Sequence, residues 1–213
     1  RELDPFGSGE HPTTALMLRA LQEIRAGGRL DGLSVCDYGC GSGILGLTAL
    51  ALGASRCMGV DIFPDALEAA RVNASANGHS PKNVGRDVGA HGVQLHLPFE
   101  DVLDRDLDTF ARLGDWRAAE ALRGWLPIPE DAEGSFDLIA ANIVVGPLVS
   151  SAPSVRRLLA KDGEVLLAGM REGLQTAQVE LAYSADTGID ANLELRHLFS
   201  LEGWTLLHGR RKR

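Results

Sequence analysis

The chain has 213 residues, 45% hydrophobic and 23% charged, with a formal net charge of -8 at pH 7. That length and balance suit one globular domain with a sizeable core. The acidic balance argues against a broad nucleic-acid surface, which needs clustered Lys and Arg.

The tail Gly209 to Arg213 (GRRKR) is a local basic exception. An acidic enzyme acting on a basic protein is compatible with the charge. Three cysteines, an odd count without zinc-site spacing, argue against a disulfide framework. Cys36 and Cys57 fall in expected strands and read as small core residues. No stretch approaches the run of about 18 apolar residues of a membrane helix, and no signal peptide is visible. A reducing compartment, the cytoplasm or an organelle matrix, fits best.

In chain order, Thr13–Arg25 reads as a helix, with Leu16, Ala20, Leu21 and Ile24 on one apolar face and Gly27 and Gly28 ending it. Leu33–Gly39 is a short strand running into glycines. Ile44–Gly53 is a strongly apolar helix, and Arg56–Ile62 a second strand. Pro64 suits a first helical turn, and Asp65–Gly78 is the helix that follows. Val93–Phe99 reads as a strand. Residues 100–134 read as an insertion, partly helical around Asp115–Arg123. Phe136–Val144 is a strand, Pro147–Gly163 a helix leading to a turn, Glu164–Met170 a strand and Glu172–Ser184 a helix. The stretch LELRHLFSLEGWTLLHGRR closes the chain as two strands around Glu202 and Gly203. Strand–helix alternation predicts an α/β fold with a mostly parallel sheet covered on both faces, and the hairpin adds antiparallel pairing at one side.

The chemistry-bearing stretch is DYGCGSG, Asp37–Gly43, where the first strand meets the first core helix. Gly39, Gly41 and Gly43 let backbone N–H groups approach a ligand in the crevice beyond the strand ends. Asp61, at the second strand's tip, is placed to accept both hydroxyls of a ribose. Asp37 either orients the turn or the ligand, or accepts turn amides. A dinucleotide fingerprint would need glycine where Ile44 stands. A Walker-type phosphate loop in DPFGSGEHPTT (Asp4–Thr14) fails on spacing and on the missing lysine. Asn142 is a polar residue ending an apolar strand, at the same edge as Gly39 and Asp61. It either caps the next helix or meets a methyl acceptor. His11 reads as a loop-fixing residue rather than a general base, and His91 and His96 as surface residues remote from the motifs.

The D-x-G-x-G-x-G turn followed by an acidic strand end resembles the first two motifs of S-adenosylmethionine-dependent methyltransferases. The stretches FGSGEHPTT, DYGCGSGILGLTALALGA, GVDIFPDALEAARVNASANG and FDLIAANIVVGPL together resemble the PrmA family, bacterial lysine methyltransferases of large-subunit ribosomal protein eleven. The closing EGWTLLHGRRK is similar to that family's last strand. The resemblance covers most of the chain except roughly residues 79–134 and 184–198.

It implies a Rossmann-like class I methyltransferase fold with seven strands and S-adenosyl-L-methionine as cofactor. Implied cofactor contacts are Phe6, Thr13, Gly39, Gly41, Gly43, Asp61, Ile62 and Asn142, with Phe6–Thr14 lying over the methionine end. Asn142 would also orient the acceptor amine, without the aromatic clamp of an N-P-P-Y motif. The implied substrate is a protein, a ribosomal protein foremost, methylated on lysine or N-terminal amines. No membrane, direct nucleic-acid partner or metal is expected. The expected organisation is one catalytic domain over 1–213, with the family's N-terminal substrate-recognition domain absent. The competing readings are an NAD-dependent oxidoreductase, which Ile44 opposes, and a noncatalytic cofactor-binding module.

Overall fold

The computed structural model describes residues 9–79, 92–99, 125–185 and 192–212. Helix α1 (Pro12–Ala26) precedes strand β1 (Ser34–Tyr38), helix α2 (Ile44–Ala51), strand β2 (Arg56–Val60), helix α3 (Pro64–Ala76) and strand β3 (Gly92–His96). Strand β4 (Phe136–Asn142) follows, then helices α4 (Val145–Ser150) and α5 (Ala152–Leu158), strand β5 (Leu159–Arg171), helix α6 (Leu174–Ser184), and strands β6 (Leu193–Leu201) and β7 (Trp204–Arg211). The seven strands form one sheet in the order β3-β2-β1-β4-β5-β7-β6. The first five in that order run parallel, and β7 joins β5 and β6 antiparallel. The expected α/β architecture with a closing hairpin is therefore observed.

Alternation along the strands feeds two cores. On β4, Leu138 and Ala140 join Leu16, Met17, Leu21 and Ile24 of α1 on one face. Ile139 and Ala141 join Leu148, Val155, Val179 and Tyr183 of α4 to α6 on the other. A smaller cluster packs α3, through Leu67, Ala70 and Ala74, on Val93 and Leu95 of β3. All four residues assigned to α1's apolar face, Leu16, Ala20, Leu21 and Ile24, are buried. Cys36 and Cys57 are buried free thiols, and so is Cys40. Among the described residues no helix is long and apolar enough to cross a membrane.

Two expectations need correction. The helix expected over Pro147–Gly163 is two short helices that meet at Ser151. Pro153 lies in the first turn of the second, where its missing N–H costs nothing, but it could not continue the first helix. β5 begins at Leu159 rather than Glu164, because Phe136 pairs with Leu159 before Leu138 pairs with Glu164. Five steps on β5 thus match two on β4, and the excess around Gly163 bulges out. The end of the 100–134 stretch packs on the sheet. Leu97 N–H donates to Leu126 O (2.9 Å) and Ile128 N–H to Leu97 O (3.0 Å), so this stretch runs beside the end of β3. The helix expected at Asp115–Arg123 lies outside the described residues.

At the opposite edge of the sheet from the strand tips, Glu164 gathers cations. His208 Nε2 lies 2.7 Å from Glu164 Oε2, and Arg29 and Arg210 both pair with its other oxygen. Burial pushes the Glu164 carboxyl up, but the His208 hydrogen bond and the charges of His208, Arg210 and Arg29 outweigh it and carry the pKa down to about 2.

Candidate active site

The sheet register sets the site. Tyr38 on β1 pairs with Val60 on β2 and with Ala141 on β4, so the next residues, Gly39, Asp61 and Asn142, emerge at one edge. The glycine turn hooks onto β2, with Gly39 N–H and Cys40 N–H both donating to Val60 O (2.7 and 2.9 Å). Its three glycines take φ of +78° (Gly39), +52° (Gly41) and +79° (Gly43), the left-handed region that side chains disfavour. Gly39 has a second constraint, since an added Cβ would collide with Ile143 Cγ2.

Two carboxylates brace this turn. Asp61 Oδ2 accepts from Gly41 N–H (2.9 Å) and Oδ1 from Phe63 N–H (3.0 Å). Burial pushes the Asp61 pKa up, opposed by the amides of Phe63, Gly41 and Ile62. A carboxylate offers about four acceptor sites, so capacity beyond these amides is left and the ribose role stays chemically open to Asp61. Asp37 is buried, and its Oδ2 accepts from Gly46 N–H in α2 (2.9 Å) while Oδ1 has no partner. Burial drives its pKa up to about 7; the Gly46 bond opposes the rise and the charge of Asp61 adds to it. The amide that Asp37 accepts belongs to the first turn of α2 rather than to the glycine turn, so the carboxyl ties β1 to the helix that follows.

Asn142 ends β4. Its Nδ2 lies 3.4 Å from Thr14 Oγ1, and its Oδ1 is buried without a partner. It does not cap α4, whose N-cap is Val144 with no side-chain bond. A buried amide oxygen left unpaired costs about 1–3 kcal/mol, which a ligand N–H would recover. The chemistry of the donor set fits an amine-bearing ligand there.

The opening loop reaches the same edge. At Gly9, with φ +89°, the chain passes beside Ile44 at the start of α2. His11 is the N-cap of α1, its Nδ1 accepting the Thr13 amide (3.3 Å) and lying 2.8 Å from Thr13 Oγ1. The expected loop-fixing role of His11 is thus what its contacts display, and it also meets Trp204 edge-on with centroids 4.8 Å apart. Thr13 is buried within the first turn, and Ile62 is half-buried beside Asp61. Phe6 lies outside the described residues.

His96 corrects an expectation. It is buried, not a surface residue, and its carbonyl accepts the Asp61 N–H (3.2 Å). Burial lowers its pKa, opposed by hydrogen bonds to Pro127 and Leu126. His91 lies outside the described residues. Sequence reasoning also passed over Thr14, Ile143 and Trp204. The doubled threonine of PTT was a signal for Thr14, whereas nothing local marks the other two.

A seven-stranded sheet of this order, with a glycine turn, an acid and an amide at the tips of β1, β2 and β4, is the class I methyltransferase fold. Residues 2–102 match the family described as ribosomal protein L11 methyltransferase (PrmA). A ribosomal protein L11 methyltransferase of Pseudomonas aeruginosa (strain LESB58) is 38% identical over 213 residues, covering 99% of this chain and 55% of that protein. One from Pseudomonas putida (strain GB-1) is 35% identical, covering 99% and 56%. The chain is thus similar in sequence to ribosomal protein L11 methyltransferases, and spans about half the length of the curated relatives it matches.

The solved ribosomal protein L11 methylase of Lactobacillus delbrueckii subsp. bulgaricus superposes with a TM-score of 0.63 at 24% identity, covering 98% of this chain and 83% of that one. Magnesium protoporphyrin IX methyltransferase of Synechocystis PCC 6803, solved with bound SAM, gives 0.53 at 14% identity, covering 97% and 85%. At these identities the two structures speak for the fold.

Proposed function

We propose that this chain is the catalytic domain of an S-adenosyl-L-methionine-dependent methyltransferase that acts on lysine or N-terminal amines of a ribosomal protein or a similar protein. The observation that carries the reading is the buried, unpaired Oδ1 of Asn142, one strand away from the Gly39 turn. The names of the relatives, and the SAM-bound neighbour, support the cofactor and the substrate class. A cytoplasmic setting agrees with three buried free thiols.

The cofactor, when bound, supplies a methyl group on a sulfonium centre. Gly39, Gly41 and Gly43 would pass its amino-acid part, and Asp61 its ribose, with Phe6, Thr13 and Ile62 alongside. Asn142 Oδ1 would accept one N–H of the incoming amine and aim its lone pair. A lysine, with an ordinary pKa near 10.4, must arrive deprotonated, and burial at the strand tips favours that form. Rate enhancement would then come mostly from holding the two reactants in near-attack geometry. His11 stays a loop anchor, since its Nδ1 is occupied by Thr13.

The test is transfer of labelled methyl from S-adenosylmethionine into ribosomal proteins, with Asn142→Ala and Asp61→Ala as controls. Both substitutions are expected to lower transfer by about 100-fold, the cost of losing near-attack positioning. Undiminished transfer in both would remove the site assignment.

A further inference from the structure

We propose that Ile143 is a positioning residue that sets the separation between the cofactor turn and the acceptor-orienting Asn142. The inference rests on the function proposed above, but its observations are separate. Ile143 is gripped on two sides by glycines, one in the turn after β1 and one within β5. Its Cγ2 fills the space that a Cβ on Gly39 would take. Its backbone passes over Gly169 of β5 so closely that a Cβ there would overlap the Ile143 carbonyl oxygen and lie 2.6 Å from the carbonyl carbon and 3.0 Å from the nitrogen. Gly169 has φ +99°, and the β5–β7 register shifts between Leu167 and Met170 around it. A bulge of this kind re-aims the backbone beside a site.

Gly39 opens the turn that would hold the donor, and Asn142, paired with Ala168 on β5, is the acceptor's guide. Ile143 touches the first with its side chain and follows the second in the chain. Its seat therefore ties the two halves of the reaction together. The missing side chain at Gly39 admits the isoleucine's branch methyl, and the one at Gly169 admits the backbone that carries it. Transfer depends on this distance, because a misplacement of about 1 Å can cost about 100-fold in rate.

The experiment measures kcat for methyl transfer and, separately, cofactor Kd by calorimetry in Ile143→Ala, Ile143→Val and Gly169→Ala. Valine keeps the branch methyl that lies over Gly39, and alanine removes it. Ile143→Ala is expected to lose at least about tenfold in kcat, with cofactor Kd within about threefold of wild type, while Ile143→Val stays within about threefold in both. Gly169→Ala is expected to fall about 100-fold in kcat while retaining a cooperative melt. Wild-type kcat in Ile143→Ala, or a loss in Kd that matches the loss in kcat, overturns the inference while leaving the function standing. Should Gly169→Ala fail to fold, the Ile143 pair decides alone. If the wild type itself transfers no methyl to any protein, the proposed function falls and the inference falls with it.

Discussion

The carboxyl of Asp37 makes stability depend on pH in an unusual direction. Its ordinary value is 3.8, and in the fold it is carried up to about 7, first by burial and then by the charge of Asp61, against the Gly46 hydrogen bond. Between those values the folded chain holds one proton that the unfolded chain has lost. Stability from this group is therefore full below about pH 4, falls as pH rises, and is gone above about pH 7. Each pH unit inside the window is worth about 1.4 kcal/mol, so the total is about 4 kcal/mol. Asp37→Asn is nearly isosteric, keeps an acceptor for the Gly46 amide, and cannot ionise. Urea unfolding of both proteins at a series of pH values isolates the effect as a difference. The variant is expected to gain about 4 kcal/mol relative to wild type between about pH 3.5 and about pH 7.5. Parallel profiles across that range would refute the argument, since they would mean Asp37 titrates alike in both states.

Glu164 has the opposite sign. Its folded pKa of about 2 lies below the ordinary 4.5, so its stabilisation is present above pH 4.5 and lost as pH falls toward 2. Glu164→Gln is expected to remove about 1–2 kcal/mol at neutral pH, after discounting for partial exposure, and to flatten the acid limb of the same unfolding series. Phe136 is fully buried beneath the Arg56 guanidinium, and Phe136→Ala is expected to cost about 3–5 kcal/mol in urea unfolding. Thr13→Ala is expected to weaken cofactor binding about tenfold by calorimetry, the worth of one hydrogen bond. Unchanged affinity would leave Thr13 with its bond to His11 alone.

Much of the sheet was legible because its signals are local. Short apolar runs placed β1 and β2, and helix-length segments closed by glycine placed α2 and α3, each to within a few residues. The Asp37–Gly43 turn and Asp61 were legible for the same reason. What escaped depends on partners distant in sequence. His96 became a core residue because residues 125–128 return to cover it. α1 begins one residue before the expected Thr13 because a histidine caps it, and histidine is not a preferred capping type. The long apolar pattern across Pro147–Gly163 concealed a break at Ser151, since helical periodicity survives an interruption that preserves the buried face. Ile143 carries no motif at all; its importance appears only when Gly39 and Gly169, from opposite ends of the chain, are seen to leave room for it.

The insertion of β7 between β5 and β6 also bears on how the chain acquires this shape. β6 precedes β7 in sequence, yet among the described strands it has no neighbour except β7. The outer edge of β5 stays unpaired until residues 204–211 dock, and His11 lacks Trp204 until then. One of the first helices and one of the last strands must therefore meet before the opening loop is anchored. Closure over so long a separation is slow, and it leaves a bare strand edge available to other chains in the interval. A fragment ending before Trp204 would carry the glycine turn intact and still be prone to self-association along β5.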